Sequence, residues 1–211
     1  MDGNNASVRL NALLAEEGLE PLDEPTARQF GEYLSLYLRW NTRQNLSAIR
    51  DVEGVISTHF VESILFASVL PQGISTLLDF GSGAGLPGIP IALCCPQIAV
   101  TLAESQGKKA AFLQEAIRVL GIRATVHAER AELLRTVFDC VVLRAVDKMA
   151  KAVAAAAPLV GPGGHLALMT TRSRMDELRE AAGAGFCWTL QRSLSSATDR
   201  VIAFGASQPR T

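Results

Sequence analysis

Residues 77–88 read Leu77-Leu78-Asp79-Phe80-Gly81-Ser82-Gly83-Ala84-Gly85-Leu86-Pro87-Gly88. A short apolar run, Ile74–Phe80, stops at a glycine cluster, and a helix-like segment follows at 88–95. Strand, glycine turn and helix in that order let backbone approach a ligand with no Cβ in the way. Such turns lie at the C-terminal ends of strands, where open α/β sheets bind their ligands.

Two registers fit the cluster. Gly83, Gly85 and Gly88 have the spacing of a dinucleotide fingerprint. Gly81, Gly83 and Gly85, preceded by Asp79, have the D-x-G-x-G-x-G pattern of S-adenosylmethionine methyltransferases. The acidic residue favours the second. A carboxylate beside the loop suits the ammonium at the amino acid end of that donor and repels a diphosphate. Glycines alone are equally compatible with a structural turn.

Working outward, Ile98–Leu102 is a second strand candidate, and Glu104 stands at its end, 23 residues after Gly81. A carboxylate there can accept both ribose hydroxyls of a nucleotide-type ligand, whether methyl donor or NAD. The third strand candidate, Ala124–His127, runs into Ala128-Glu129-Arg130-Ala131-Glu132. That turn would sit over an adenine, although its composition is also that of an ordinary helix start. The fourth, Phe138–Leu143, delivers Arg144 to the same edge. An arginine leaving a buried strand needs a carboxylate or a phosphate.

The remaining pattern is α/β. Residues 1–70 read as helices: Ser7 caps one through Gly18, Pro25 opens one with Phe30, Tyr33, Leu34, Tyr37 and Leu38 at helical spacing, and Asp51 caps a third. Pro71-Gln72-Gly73 ends the third. From residue 74 strands alternate with helices at 108–120, 131–134, 150–159 and 174–182, which predicts a parallel sheet covered on both faces. A fifth strand is expected at 165–169, and strands at 188–194 and 200–204 form an antiparallel hairpin at one edge, giving seven strands. The expected organisation is a helical extension, 1–70, packed on a compact domain, 71–211.

Composition narrows the function classes. The 211 residues are 48% apolar and 19% charged, with a net charge of −1, so bulk charge cannot hold this chain on nucleic acid or anionic lipid. A local basic face is still possible on such a surface. Residues 80–103 and 152–171 carry no charge, but their glycines and prolines break any membrane-spanning helix. Cys94, Cys95, Cys140 and Cys187 have no C-x-x-C spacing, and with only three histidines no metal pattern appears. Reduced thiols and a start without a signal sequence are expected of a cytoplasmic protein.

Several longer motifs surround the glycine cluster. They are Trp40-Asn41-x-x-x-Asn45-Leu46-Ser47, His59-Phe60-Val61-Glu62-Ser63, Gly85-Leu86-Pro87-Gly88-Ile89-Pro90, Gly107-Lys108-Lys109 with Phe112-Leu113, and Arg144-Ala145. On these the chain resembles the small-subunit ribosomal RNA guanine-N7 methyltransferases, the RsmG family, also called GidB. The resemblance runs from about Leu34 to Val146 and more loosely to the end. It implies a class I S-adenosylmethionine-dependent methyltransferase fold, Rossmann-like, with N-terminal helices beside it. It implies S-adenosylmethionine as donor and, as substrate, N7 of one guanine in the helix 18 loop of 16S rRNA, met as rRNA or in the small ribosomal subunit.

The donor side would take Asp79, Gly81, Gly83, Gly85, Leu86, Glu104, Ala131, Glu132 and Arg144; the substrate side would take Trp40, Asn41, Asn45, His59, Lys108, Arg130 and again Arg144. No membrane and no metal are implied, and a monomer is compatible with the chemistry. The family usually carries Asp where Glu62 stands, Thr where Ser47 stands, and Leu-Lys where this chain has Leu168-Met169. A basic contact to RNA is then either missing or moved to Arg172 or Arg174.

Guanine N7 has a free lone pair and no proton, so no general base is expected and none is assigned. Further cations for an RNA face are Arg39, Arg43, Arg50, Lys109, Lys148 and Lys151, most of which a solvated surface would also explain. Tyr33 and Tyr37 fall on an apolar stripe and read as core, while Trp40 is a candidate for stacking on a base. His59 sits among apolar helical positions, as a core histidine or one that touches substrate. Methyl transfer to another substrate and a nicotinamide-dependent oxidoreductase are the alternatives.

Overall fold

The computed structural model describes residues 3–194 and 199–208. Helix α1 (Gly3–Glu16) and α2 (Glu24–Gln44) precede a continuous helical stretch made of α3 (Val52–Gly54), a π-helical turn (Val55–Val61) and α4 (Glu62–Ser68). Asp23 caps α2 by accepting the Thr26 amide at 2.8 Å, with Pro25 in the first turn, and Asp51 caps α3 through the Gly54 amide at 2.7 Å. Ser7 does not cap α1, which begins four residues earlier; its hydroxyl donates to the Ala27 carbonyl and ties α1 to α2.

Strands β1 (Thr76–Phe80), β2 (Ala99–Ala103), β3 (Ala124–His127), β4 (Phe138–Arg144), β5 (Val160–Thr171), β6 (Phe186–Ser193) and β7 (Arg200–Ser207) form one sheet in the order β3-β2-β1-β4-β5-β7-β6. The first five are parallel. β7 enters antiparallel between β5 and β6, so the last two strands pair as expected but only β6 is an edge. The turn expected between them, at 195–198, lies outside the described residues. Helices α5 (Gly88–Cys94), α6 (Gly107–Leu120), α7 (Met149–Ala156) and α8 (Met175–Ala182) cover the faces, and Gly121 ends α6 in the left-handed conformation.

Strand periodicity splits the core. Leu77, Val100, Leu102, Cys140 and Val142 face the N-terminal helices, α5 and α6, while their neighbours Leu78, Val141 and Leu143 face α7 and α8. The helical layer is not appended loosely. Phe60 stacks on Tyr33 at 5.1 Å and meets Phe30 edge-on at 5.2 Å, and Trp40 meets Phe112 of α6 at 5.7 Å. Each such buried ring contributes about 1.5–3 kcal/mol by leaving water. Tyr33 also donates its hydroxyl to the Ala84 carbonyl inside the glycine loop.

β1 has β2 on one side and β4 on the other, so the chain order reverses there. The C-terminal ends of β1, β2 and β4 open at that switch point, as the position of the glycine cluster predicts.

Candidate active site

The glycine loop is built by its neighbours. The Gly81 and Ser82 amides both donate to the Ala103 carbonyl, at 3.0 and 2.9 Å, which pins the loop to the end of β2. Gly81 holds φ at +75° and Gly85 at +81°. A Cβ on Gly88 would lie 2.4 Å from Leu102 Cδ2 and 2.6 Å from Asp79 Oδ2, so any side chain at the start of α5 must displace one of them.

Asp79 departs from expectation. Its carboxylate is buried and accepts the Gly88 amide at 3.0 Å, beneath the loop. It is not on the cavity wall. Burial pushes its carboxyl up to about 7. The reason is local: the strand ends with the side chain on the core side, and the first amides of α5 are the nearest donors. Gly85 likewise packs inward, against Ile89.

A cavity of about 910 Å³ lies over the strand ends. Gly81, Gly83, Leu86, Glu104, Ala131, Glu132, Arg130, His59 and Arg144 all line it. Glu104 is buried, and its two oxygens accept the Gly83 and Gln106 amides at 2.9 and 2.8 Å. A carboxylate has about four acceptor positions, so two stay available for hydroxyls. That spare capacity, beside a loop whose Gly81 presents no Cβ, fits a nucleoside such as the one in S-adenosylmethionine.

Opposite the glycine loop, the helical layer meets the sheet. Thr58 and His59 belong to the π-helical turn, a form that is rare and concentrates at functional sites. Arg144 Nη2 donates to the Thr58 carbonyl, to His59 Nδ1 and to Glu62 Oε2, each at 3.1 Å. Glu62 Oε1 accepts from Arg200 Nη1. His59 Nε2 lies 3.1 Å from the Ser47 hydroxyl, which in turn bonds the Tyr37 hydroxyl. Burial first, then the two guanidiniums, push His59 down to about 3. Burial pushes the Glu62 carboxyl up against the pull of both arginines.

Other expected residues lie elsewhere. Trp40 donates its indole N–H to Glu115 at 2.9 Å and packs on α6, away from the cavity. Asn41 is buried and bridges the Ile49 carbonyl and the Ser47 amide, so it shapes the loop that carries Ser47. Asn45 ends α2 in the left-handed conformation and accepts from Arg50. Lys108 points to solvent; its neighbour Lys109 is the one on the cavity wall. Arg172 and Arg174 are also off the wall, the latter paired with Glu177. Lys148 and Lys151 are on it. Arg200 was not anticipated: it opens β7, and nothing local in its sequence places that strand beside β5.

A family model described as GidB, rRNA small subunit methyltransferase G, matches residues 26–197. The chain belongs to this family. It is 42% identical over 159 residues to the ribosomal RNA small subunit methyltransferase G of Xanthomonas oryzae pv. oryzae (strain MAFF 311018), covering 73% of this chain and 74% of that one. It is 40% identical over 174 residues to the protein of the same name from Stenotrophomonas maltophilia (strain K279a), covering 80% and 81%. Among solved structures, a predicted O-methyltransferase from Agrobacterium tumefaciens superposes with a TM-score of 0.59 at 20% identity, over 70% of this chain and 81% of that one. The GidB-family chain thus has the class I S-adenosylmethionine-dependent methyltransferase fold, and S-adenosylmethionine is its methyl donor. The oxidoreductase alternative is set aside. Among the described residues there is no cluster able to hold a metal and no helix long and apolar enough to cross a membrane.

Proposed function

We propose that this chain transfers the methyl group of S-adenosylmethionine to N7 of a guanine in the helix 18 loop of 16S rRNA. The observation that carries the reading is the meeting of His59 and Arg144 at one cavity with the glycine loop. These residues come from two of the motifs on which the chain resembles this family, and the cavity is the one Glu104 lines.

S-adenosylmethionine, when bound, supplies an electrophilic methyl group and a neutral thioether leaving group. The rest is positioning. Gly81, Gly83, Leu86, Glu104, Ala131 and Glu132 form the donor wall, with the free lone pairs of Glu104 turned to ribose hydroxyls. Asp79 contributes by holding the loop. Arg144 and Arg130 orient the guanine O6 or a phosphate, away from N7, because the product ring becomes cationic. Phe80, Leu86 and Val146 keep water from the reacting line. Fixing N7 in line with the methyl can contribute about 7–11 kcal/mol without any acid or base.

On the wall Lys109, Arg130, Arg144, Lys148, Lys151 and Arg200 outnumber the acids Glu104, Glu129, Glu132 and Asp147, a local excess of cations that supports RNA binding by a chain of near-zero net charge. Residues 1–70 and 71–211 act together in this reading, since each supplies part of the site. The free thiols agree with a cytoplasmic location.

The test is transfer of labelled methyl to deproteinised 16S rRNA, intact small subunits and small metabolites. The expected result is label on one guanine N7 of the RNA or the particle. Label on metabolites alone, or at another atom of the base, overturns the proposal.

A further inference from the structure

We infer that Glu62 is a positioning residue for the RNA substrate: it fixes the guanidinium groups of Arg144 and Arg200 as a pair on the cavity wall. The inference rests on the rRNA reading above.

The geometry is that of a two-sided clamp. Glu62 opens α4, directly after the π-helical turn, and its side chain is 11% exposed. Its two oxygens are divided, Oε2 to Arg144 and Oε1 to Arg200. Arg144 ends β4 and Arg200 begins β7, and β5 runs between these strands. No direct pairing of β4 with β7 sets the distance between the guanidiniums, so the carboxylate supplies the link. Both arginines line the cavity; Glu62 stands behind them.

Charge completes the argument. The cluster holds two guanidiniums, one carboxylate and a neutral imidazole, a net charge of +1 facing the cavity. Arg144 spends one nitrogen, Nη2, on all three of its partners. Among the described residues its Nε and Nη1 have none, and the Arg200 side chain makes no bond besides that to Glu62. A carboxylate that neutralised both arginines would defeat anion binding. One that restrains both and cancels half their charge leaves preorganised donors for a phosphate or a guanine edge, with less rotamer freedom to lose on binding.

The experiment compares Glu62→Gln, Glu62→Asp and wild-type protein. It measures S-adenosylhomocysteine affinity by calorimetry and methyl transfer to small subunits lacking the modification. For Glu62→Gln, the expected result is donor-site affinity within about twofold of wild type and kcat/KM for RNA lowered about 10- to 100-fold. Glu62→Asp keeps the charge and should recover most of that loss. If Glu62→Gln does not fold, Arg200→Gln, at a side chain one-third exposed, must give the same split between donor and RNA. RNA transfer within twofold of wild type in the folded variant, or equal loss of donor and RNA binding, overturns the inference. Wild-type protein inactive on every RNA overturns the functional reading and takes this inference with it.

Discussion

The Arg144 guanidinium donates to Nδ1 of His59 at 3.1 Å. A guanidinium has no acceptor atom, so this contact fixes the imidazole as the neutral Nε2–H tautomer, with its proton directed to Ser47. His59 is thereby a relay of position from the α2 loop to the strand end, and protonating it would set two cations against each other in a buried place.

A pH dependence follows from that tautomer. His59 is pushed from an ordinary 6.5 down to about 3. Its contribution to stability is therefore present above pH 6.5 and is lost as pH falls toward 3. We expect the His59 ring to stay neutral at pH 5 by nitrogen chemical shifts. In His59→Gln, the melting temperature should change less than in wild type between pH 6.5 and 4.

Asp79 has the opposite sign. Its carboxyl is raised from 3.8 to about 7, so the stabilising protonated form is complete below pH 4 and disappears as pH rises through 7. Asp79→Asn keeps an acceptor for the Gly88 amide without the charge. Relative to wild type, the variant should gain stability from pH 5 to pH 9, by about 3 kcal/mol. Denaturant titrations at the two pH values measure the difference, and parallel curves would refute it.

Two glycines of one loop should fail differently. Gly81 faces the cavity, and its Cβ would sit 3.3 Å from Val146. Gly81→Val is expected to abolish S-adenosylhomocysteine binding with a native far-ultraviolet circular dichroism spectrum, although its φ of +75° will also lower the melting temperature, so loss of donor affinity in the folded variant is the distinguishing readout. Gly88 faces the core, and Gly88→Ala should cost about 1–3 kcal/mol of stability through its clash with Leu102 and Asp79. Calorimetry and thermal melts separate the two.

Arg144→Ala removes three hydrogen bonds, one of which is an arm of the Glu62 clamp. Breaking a buried pair costs about 3–5 kcal/mol, and less where a second arginine stays with the carboxylate. The expected variant folds with a lower melting temperature, binds S-adenosylhomocysteine, and transfers methyl to rRNA at least tenfold more slowly. Normal transfer would remove Arg144 from the site.

The number and order of the strands are legible in the sequence because most carry a short apolar run with glycine, proline or charge at its ends, although β5 starts five residues before the expected 165, through Gly161, Pro162, Gly163 and Gly164, and the glycine loop is legible because its spacing is local. Glu104, Ala131, Glu132 and Arg144 are legible as strand-end residues once the switch point is assumed. What local pattern cannot carry is the direction of a side chain at a strand end, and so Asp79 reads as a wall residue when it is a floor residue. Nor can it choose between Lys108 and Lys109, which differ by one step of a helix. Trp40 reads as a candidate for stacking on a base because its partner Glu115 is 75 residues away. Arg200 is invisible for a related reason: insertion of β7 beside β5 is a tertiary event. Glu62 lay inside a recognisable motif, but its two partners lie 82 and 138 residues further on.

The hydrogen bond from Tyr33 to the Ala84 carbonyl has a practical meaning for anyone who would cut this protein down to a minimal catalyst. A phenol from the second helix helps hold the bend on which the donor would rest. Trimming the leading helices would therefore take away more than a substrate platform: it would slacken the cradle itself. Chimeras that swap this front end for another should be judged first by whether they retain the donor, before any question of which RNA they modify.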